Sequence, residues 1–373
     1  MSISAEFISQ CRVLGMHSKA SVFSVVLFLA AIALPAQAQN ELQTSTNPPD
    51  SFSVSGSERF LQTADTGKFA LIITGAAASP EIRQRFRGWT SQLDEILQRD
   101  YDYSADHVRI LLDDGDNVGG LGARVAGAST ADAIEEHLRD WQSDMTAGDL
   151  LSVFMIGHGA ATFGDAKFNN VGPDMTGDEL ALWLEPYQEQ DIVLFNMTNA
   201  GFEFARALSA PGRIVISATR SSAERFDPIF PRYLLAGLEG RQADLDRNEQ
   251  VSILELFNFA SSQVAAWYDE QGRLPTEHAV LDDTGDGLFS LNPGIEESDG
   301  LLAEVAYLNI LTPDPDKQSP QAPAMLAEVQ ALERQVILLR NQKANYLEAE
   351  YWRQMEDLLI ALARTTEAYH DLP

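Results

Sequence analysis

The sequence predicts an α/β protein: a three-layer α/β/α domain around a mostly parallel sheet, followed by a C-terminal helical segment. Five short apolar runs lie between residues 66 and 295 and alternate with stretches of helical periodicity, the pattern of βαβ units. The runs are continuous in apolar character, as strands buried on both faces are. Four prolines between 312 and 323 (TPDPDKQSPQAP) then break the pattern and precede a tail with apolar residues at spacings of three and four.

Residues 69–75 (FALIITG) form the first strand. Ser79-Pro80-Glu81 opens a helix, with Ser as N-cap, Pro at the first helical position and an acid in the first turn. Residues 107–112 (HVRILL) form the second strand. A helix over 129–145 sets Ile134, Leu138 and Trp141 on one face. Residues 150–156 (LLSVFMI) form the third strand. Thr176 and Glu179 make a capping box ahead of Leu180. Residues 191–196 (DIVLFN) and 213–218 (RIVISA) form the fourth and fifth strands, with a helix over 202–208 between them. Further helices are expected near 226–238 and 252–269. In such sheets, function sits at the carboxyl ends of the strands.

The tail, 326–373, carries Leu326, Val329, Leu332, Val336 and Leu339, then Met355, Leu358 and Leu362. It is one long helix or a helical hairpin. Its apolar stripe either packs on the α/β domain or mediates self-association through 326–369. Residues 296–325 read as a semi-rigid linker.

The length of 373 residues allows two or three folding units, and 45% hydrophobic with 22% charged residues excludes a wholly disordered chain. Lys plus Arg number 26 against 55 for Asp plus Glu, a net charge of −29. Such a surface repels phosphate backbones and excludes nucleic acid as a partner, while it suits cations and basic partners. Residues 21–34 are uncharged and apolar, Arg12 and Lys19 precede them, and Ala36-Gln37-Ala38 follows as an A-x-A cleavage site. Residues 1–38 therefore read as an export signal cut after Ala38, with an uncleaved anchor as the alternative. The mature chain has no membrane span, and it has no cysteine, because the sole one is Cys11. Residues 39–65 read as a flexible polar leader.

Two loops could carry chemistry. The third strand ends in Gly157-His158-Gly159, and the fourth in Asn196-Met197-Thr198-Asn199-Ala200-Gly201. Flanking glycines would leave the imidazole accessible, and histidine serves as a general base near neutral pH. A turn histidine held by local hydrogen bonds is the alternative. The order of strand, His-Gly, about 40 residues, strand, short loop and helix resembles the caspase-like cysteine peptidases, specifically the legumain-type C13 branch. So do the run 211–221 (PGRIVISATRS), Gln271-Gly272-Arg273-Leu274 and Thr276-Glu277-His278-Ala279. The resemblance covers about 66–293. It implies a caspase-like α/β/α fold, His158 as base, and the nucleophile position at Thr198, with Gly201 keeping the family glycine. It also implies a bacterial periplasm as the destination.

The departure lies at Thr198. A cysteine peptidase attacks through a thiolate, and a threonine hydroxyl is a far weaker acid whose methyl crowds the approach. Three roles follow. The first is a pseudopeptidase that binds a protein or peptide without cleaving it. The second is an active hydrolase with Thr198 activated by His158. The third is a scaffold with no ligand pocket.

A separate loop, 244–255, places oxygen-bearing side chains at positions 1, 3, 5, 7, 9 and 12: Asp244, Asp246, Asn248, Gln250, Ser252 and Glu255. That is EF-hand spacing and predicts bound Ca2+. Glu249 stands at position 6, where glycine is usual; a solvated acidic turn capping the next helix is the alternative. A second turn, 282–287 (DDTGDG), has the 1-3-5-6 half of such a loop but Pro293 at position 12. It is either half a metal site or an ordinary Asp-Gly turn.

Overall fold

The computed structural model describes residues 59–373 apart from 64, 117, 163–164, 295–298 and 313–316. The export signal expected over 1–38 and the leader as far as 58 lie outside the described residues.

All five apolar runs form strands. In chain order the elements are β1 (Lys68–Thr74), α1 (Pro80–Asp100), β2 (Val108–Leu112), β3 (Val125–Gly127), α2 (Ala131–Asp144), β4 (Leu150–Ile156) and β5 (Gly159–Thr162). There follow β6 (Asp165–Phe168), β7 (Met175–Thr176), α3 (Gly177–Trp183), β8 (Asp191–Asn196), α4 (Phe202–Leu208), β9 (Arg213–Ser217), α5 (Phe230–Leu238) and α6 (Ile253–Glu270). The chain ends with β10 (Val280–Asp282), α7 (Leu301–Val305), α8 (Ala322–Asn341) and α9 (Glu348–His370). The sheet has the order β10-β9-β8-β4-β1-β2-β3. Its pairs are parallel except β10 on β9. A small antiparallel sheet, β5-β6-β7, lies beyond the end of β4.

The pleat divides the core in two. Ala70 and Ile72 of β1, with Phe154 and Phe195, face a layer supplied by Phe86 and Leu93 of α1, Leu234 of α5 and Phe257 of α6. Leu71 and Ile73, with Val153 and Leu194, face Ile134, Leu138 and Trp141 of α2, Leu180 of α3 and Phe204 of α4. This is a three-layer α/β/α arrangement, and it explains the continuous apolar runs: both faces of each central strand are covered. Each large side chain so buried contributes about 1.5–3 kcal/mol relative to an exposed one.

The helix starts follow their caps. Ser79 accepts from the Ile82 N–H, and Thr176 and Glu179 form the reciprocal capping box of α3. At the other end of the chain the tail is a hairpin. Leu339, Tyr351 and Met355 pack α8 against α9. The hairpin also touches the α/β layers. Arg334 donates to the Phe60 carbonyl at 2.8 Å, Arg340 pairs with Glu304 of α7, and Ile337 packs on the larger core cluster. Phe60, within the expected leader, is 1% exposed. Among the described residues, no helix is long and apolar enough to cross a membrane.

Candidate functional site

The carboxyl ends of β4 and β8 are adjacent strands' ends, so the parallel register brings His158 and Asn199 into a backbone bridge. The imidazole is largely covered, with its side chain 15% exposed. Its Nδ1 lies 3.3 Å from Asn199 Oδ1 and 3.3 Å from Asp227 Oδ1. Asp227 in turn pairs with Arg85 of α1. The other ring nitrogen, Nε2, is buried without a hydrogen-bond partner among the described residues, and the Phe86 ring lies 5.2 Å away. The open imidazole expected from the flanking glycines is therefore not what the fold makes. Gly159 is required by crowding: a Cβ there would sit 2.5 Å from the Asn199 carbonyl oxygen and 2.9 Å from Thr198 Oγ1.

Thr198 is 1% exposed. Its hydroxyl donates to Asn196 Oδ1 at 2.7 Å, and its N–H lies 3.2 Å from the same oxygen. Asn196 Nδ2 donates to the Gly201 carbonyl, and the Gly201 N–H donates to Thr219 Oγ1 at 3.0 Å. The loop after β8 is thus closed by a buried polar network in which Thr198 is a structural member. The structure brings His158 to Asn199 and Asp227, and it brings Thr198 to Asn196. It forms no hydrogen bond between His158 and the Thr198 hydroxyl.

Residues of the runs 211–221 and 276–279 meet beside this loop through Glu224. Glu224 Oε1 lies 2.6 Å from His278 Nδ1, and its Oε2 accepts from the N–H groups of Arg220 and His278. The Ala200 N–H donates to the Glu224 carbonyl. Glu277 accepts from the N–H groups of Ile229 and Phe230 at the start of α5, and desolvation raises its pKa. Sequence reasoning missed Asn196, Asn199, Glu224 and Asp227. The two asparagines flank the predicted nucleophile position and could have been weighed as amides; the two acids sit in coil, with no spacing signal.

The acidic loop brings three of its six predicted side chains together. Carboxylate oxygens of Asp244, Asp246 and Glu255 lie within 4.8 Å of one another. Asp244 accepts from the N–H groups of Asn248 and Glu249, and Asn248 Oδ1 accepts from the Gln250 N–H. Arg247 and Glu249, at positions 4 and 6, are left-handed with φ of 64° and 69°. Glu249 therefore takes the backbone that glycine usually supplies, at some cost in strain. Ser252 caps α6 and shares a capping box with Glu255, whose Oε1 also accepts from the Leu245 N–H. The Gln250 side chain is turned away from the loop and accepts from the Leu311 N–H. That leaves the position-7 carbonyl as its contribution to a cation.

Among the loop acids, Asp246 is shifted towards its protonated form. The Asp246 carboxyl is pushed up to about 6 by desolvation and then by Glu255 and Asp244. Glu333 of α8 is pushed up to about 7 by desolvation and then by Asp246. Asp191 and Asp299 are each raised to about 6, chiefly by desolvation. A carboxyl raised in the folded state binds protons that the unfolded chain releases near pH 4, so stability falls as pH rises through that window. His137, lowered by desolvation and then by Arg109, acts in the opposite sense. The metal-free protein is therefore expected to melt at progressively lower temperature between about pH 4 and 7, since the raised carboxyls of Asp191, Asp246, Glu277, Asp283, Asp299 and Glu333 outweigh one histidine. Thermal melts in chelator across that range check this, and a rising melting temperature would contradict it.

No protein-family model matches the chain, and no curated protein matches it.

Proposed function

We propose that the mature chain is an exported, periplasmic, caspase-like pseudopeptidase of legumain type that binds a protein or peptide without cleaving it. One observation carries this reading: the Thr198 hydroxyl is buried and committed to Asn196, while His158 is committed to Asn199 and Asp227. A general base must reach the proton it removes, about 2.6–3.2 Å between heavy atoms. Here the base and the nucleophile position serve separate hydrogen-bond networks. An active hydrolase using Thr198 would need the Thr198–Asn196 hydrogen bond broken and the buried, unpartnered Nε2 of His158 brought to the hydroxyl.

Calcium at 244–255 is part of the same proposal, with Asp244, Asp246, Asn248, the Gln250 carbonyl, Ser252 and Glu255 as its oxygen shell. It is supported by three converging carboxylates and two left-handed residues at positions 4 and 6. A cation there would neutralise a crowded acidic loop and fix the start of α6.

Peptide reporters containing Asn or Asp test the catalytic half. The purified mature chain is expected to cleave none, with or without iodoacetamide. Thr198→Cys is expected to remain silent, because position 198 is buried and faces Asn196. Iodoacetamide-sensitive cleavage by Thr198→Cys would show that the loop opens and that the ancestral geometry is intact. Cleavage by the unmodified chain would establish the hydrolase role.

A further inference from the structure

A cavity of about 380 Å³ lies between α8, the chain at 60–63 and the segment that follows α7. None of its lining residues belongs to the loops after β4 and β8. Sites for small molecules are cavities of roughly 300–1,000 Å³, mostly apolar, with a few polar groups that fix the ligand's orientation. Leu61, Ile310 and Ile337 give this one its apolar wall. Ala327 and Ala331 stand four residues apart on the same face of α8, and their short side chains leave the space open.

Most of the polar groups around the cavity are spent inside the protein. The Gln62 amide donates to the Tyr307 carbonyl at 2.6 Å and accepts from the Tyr307 N–H at 2.9 Å. Gln330 donates to the Leu311 carbonyl, and Gln250 accepts from the Leu311 N–H. Arg334 donates to the carbonyls of Arg59 and Phe60; desolvation lowers its pKa, and the charge of Asp191 works against that. The Glu333 carboxyl and the Tyr307 hydroxyl also line the cavity, and neither makes a hydrogen bond to any described residue. The charges acting on this pair are negative. Desolvation and then Asp246 raise the Glu333 pKa, while desolvation and then Glu333, Glu255, Asp246 and Glu304 raise that of Tyr307.

A carboxyl pushed towards neutrality by burial and like charges gains from any cation that meets it. An ammonium group restores its ionised form and brings N–H donors for both the carboxylate and the phenol oxygen. A hard metal ion would want six or more oxygens and would leave the apolar wall unused.

We propose that this cavity binds a small organic cation, an amine whose N–H groups meet Glu333 and Tyr307 and whose apolar body lies against Leu61, Ile310 and Ile337. The site rests neither on calcium at 244–255 nor on the pseudopeptidase reading.

Titration calorimetry of the purified chain in chelator, at ~0.15 M salt to screen the acidic surface, tests this with phenethylamine, phenethyl alcohol and hydrocinnamate. The three probes share one apolar body and differ in the charge of the head. The amine is expected to bind at least tenfold more tightly than the alcohol, and the carboxylate not at all. Glu333→Gln should weaken the amine at least tenfold and leave the alcohol unchanged. Ala331→Trp, which fills the cavity, should abolish binding of both, with circular dichroism checking that each variant is folded. Absence of amine binding would overturn the proposal. So would equal affinity for amine and alcohol, an unchanged amine affinity in Glu333→Gln, or amine binding that survives in folded Ala331→Trp.

Discussion

Chelation is expected to lower the melting temperature of the mature protein by roughly 5–10 °C relative to millimolar calcium. A ligand that binds only the folded state contributes about 2.7 kcal/mol at a hundredfold excess over Kd. For a unit of this size each kcal/mol moves the midpoint by about 2–4 °C. The gain arises at the start of α6. Without a cation, Asp244, Asp246 and Glu255 repel one another across less than 5 Å, and that repulsion is absent from the unfolded chain. With one, the same oxygens coordinate. Glu255→Gln is the informative variant, because glutamine keeps the capping box with Ser252 while losing the bidentate charge. It should remove the share of calcium sensitivity that belongs to 244–255 while leaving α6 intact. Glu249→Gly should raise stability in calcium and chelator alike, by about 1 kcal/mol, because it relieves a left-handed non-glycine residue. Identical melting curves in chelator and calcium would leave the loop as an acidic helix cap and nothing more.

The fold was legible where burial writes itself into sequence. The run 150–156 is buried at every position, and no amphipathic helix or surface strand shows seven consecutive apolar or small residues. The elements not foreseen are those without such a signal. β3 is three residues of VAG, β10 three residues of VLD, and β5 and β6 are GAAT and DAKF. Their pairing comes from position in the fold, since none has enough apolar surface to nominate itself. The same division holds at the site. His158 and the loop at 196–201 lie at the ends of strong strands, so their place was readable. Asp227 and Glu224 reach His158 and His278 from coil, through contacts of 69 and 54 residues' separation that no local pattern encodes. The clustering of Asp244, Asp246 and Glu255 was legible for the opposite reason: all three lie within twelve consecutive residues.

Gly201→Ala is expected to be among the most destabilising single-methyl additions in the molecule, and the reason bears on what the site can do. A Cβ at 201 would sit 2.4 Å from Thr198 Oγ1 and 2.7 Å from Asn196 Nδ2. Backbone conformation is not at issue, because Gly201 has φ of −85°, which any residue adopts. The obstacle is that neither neighbour can yield. Thr198 Oγ1 donates to Asn196, and Asn196 donates back to the Gly201 carbonyl, all in a fully buried cluster. Overpacking costs about 1–3 kcal/mol, and a broken buried hydrogen bond adds about 1–3 kcal/mol. A loss of roughly 4–24 °C follows at about 2–4 °C per kcal/mol. Thr198→Ala removes the oxygen that the new methyl would strike, so the double variant should recover part of the loss and the two effects should not add. That coupling separates two explanations of the glycine. If Gly201 is kept for the approach of a substrate, Gly201→Ala should melt like the parent and Thr198→Ala should not rescue it. If it is kept because a buried hydroxyl occupies its Cβ position, the loss and the rescue appear together, and the pocket at the end of β8 is filled by the protein itself.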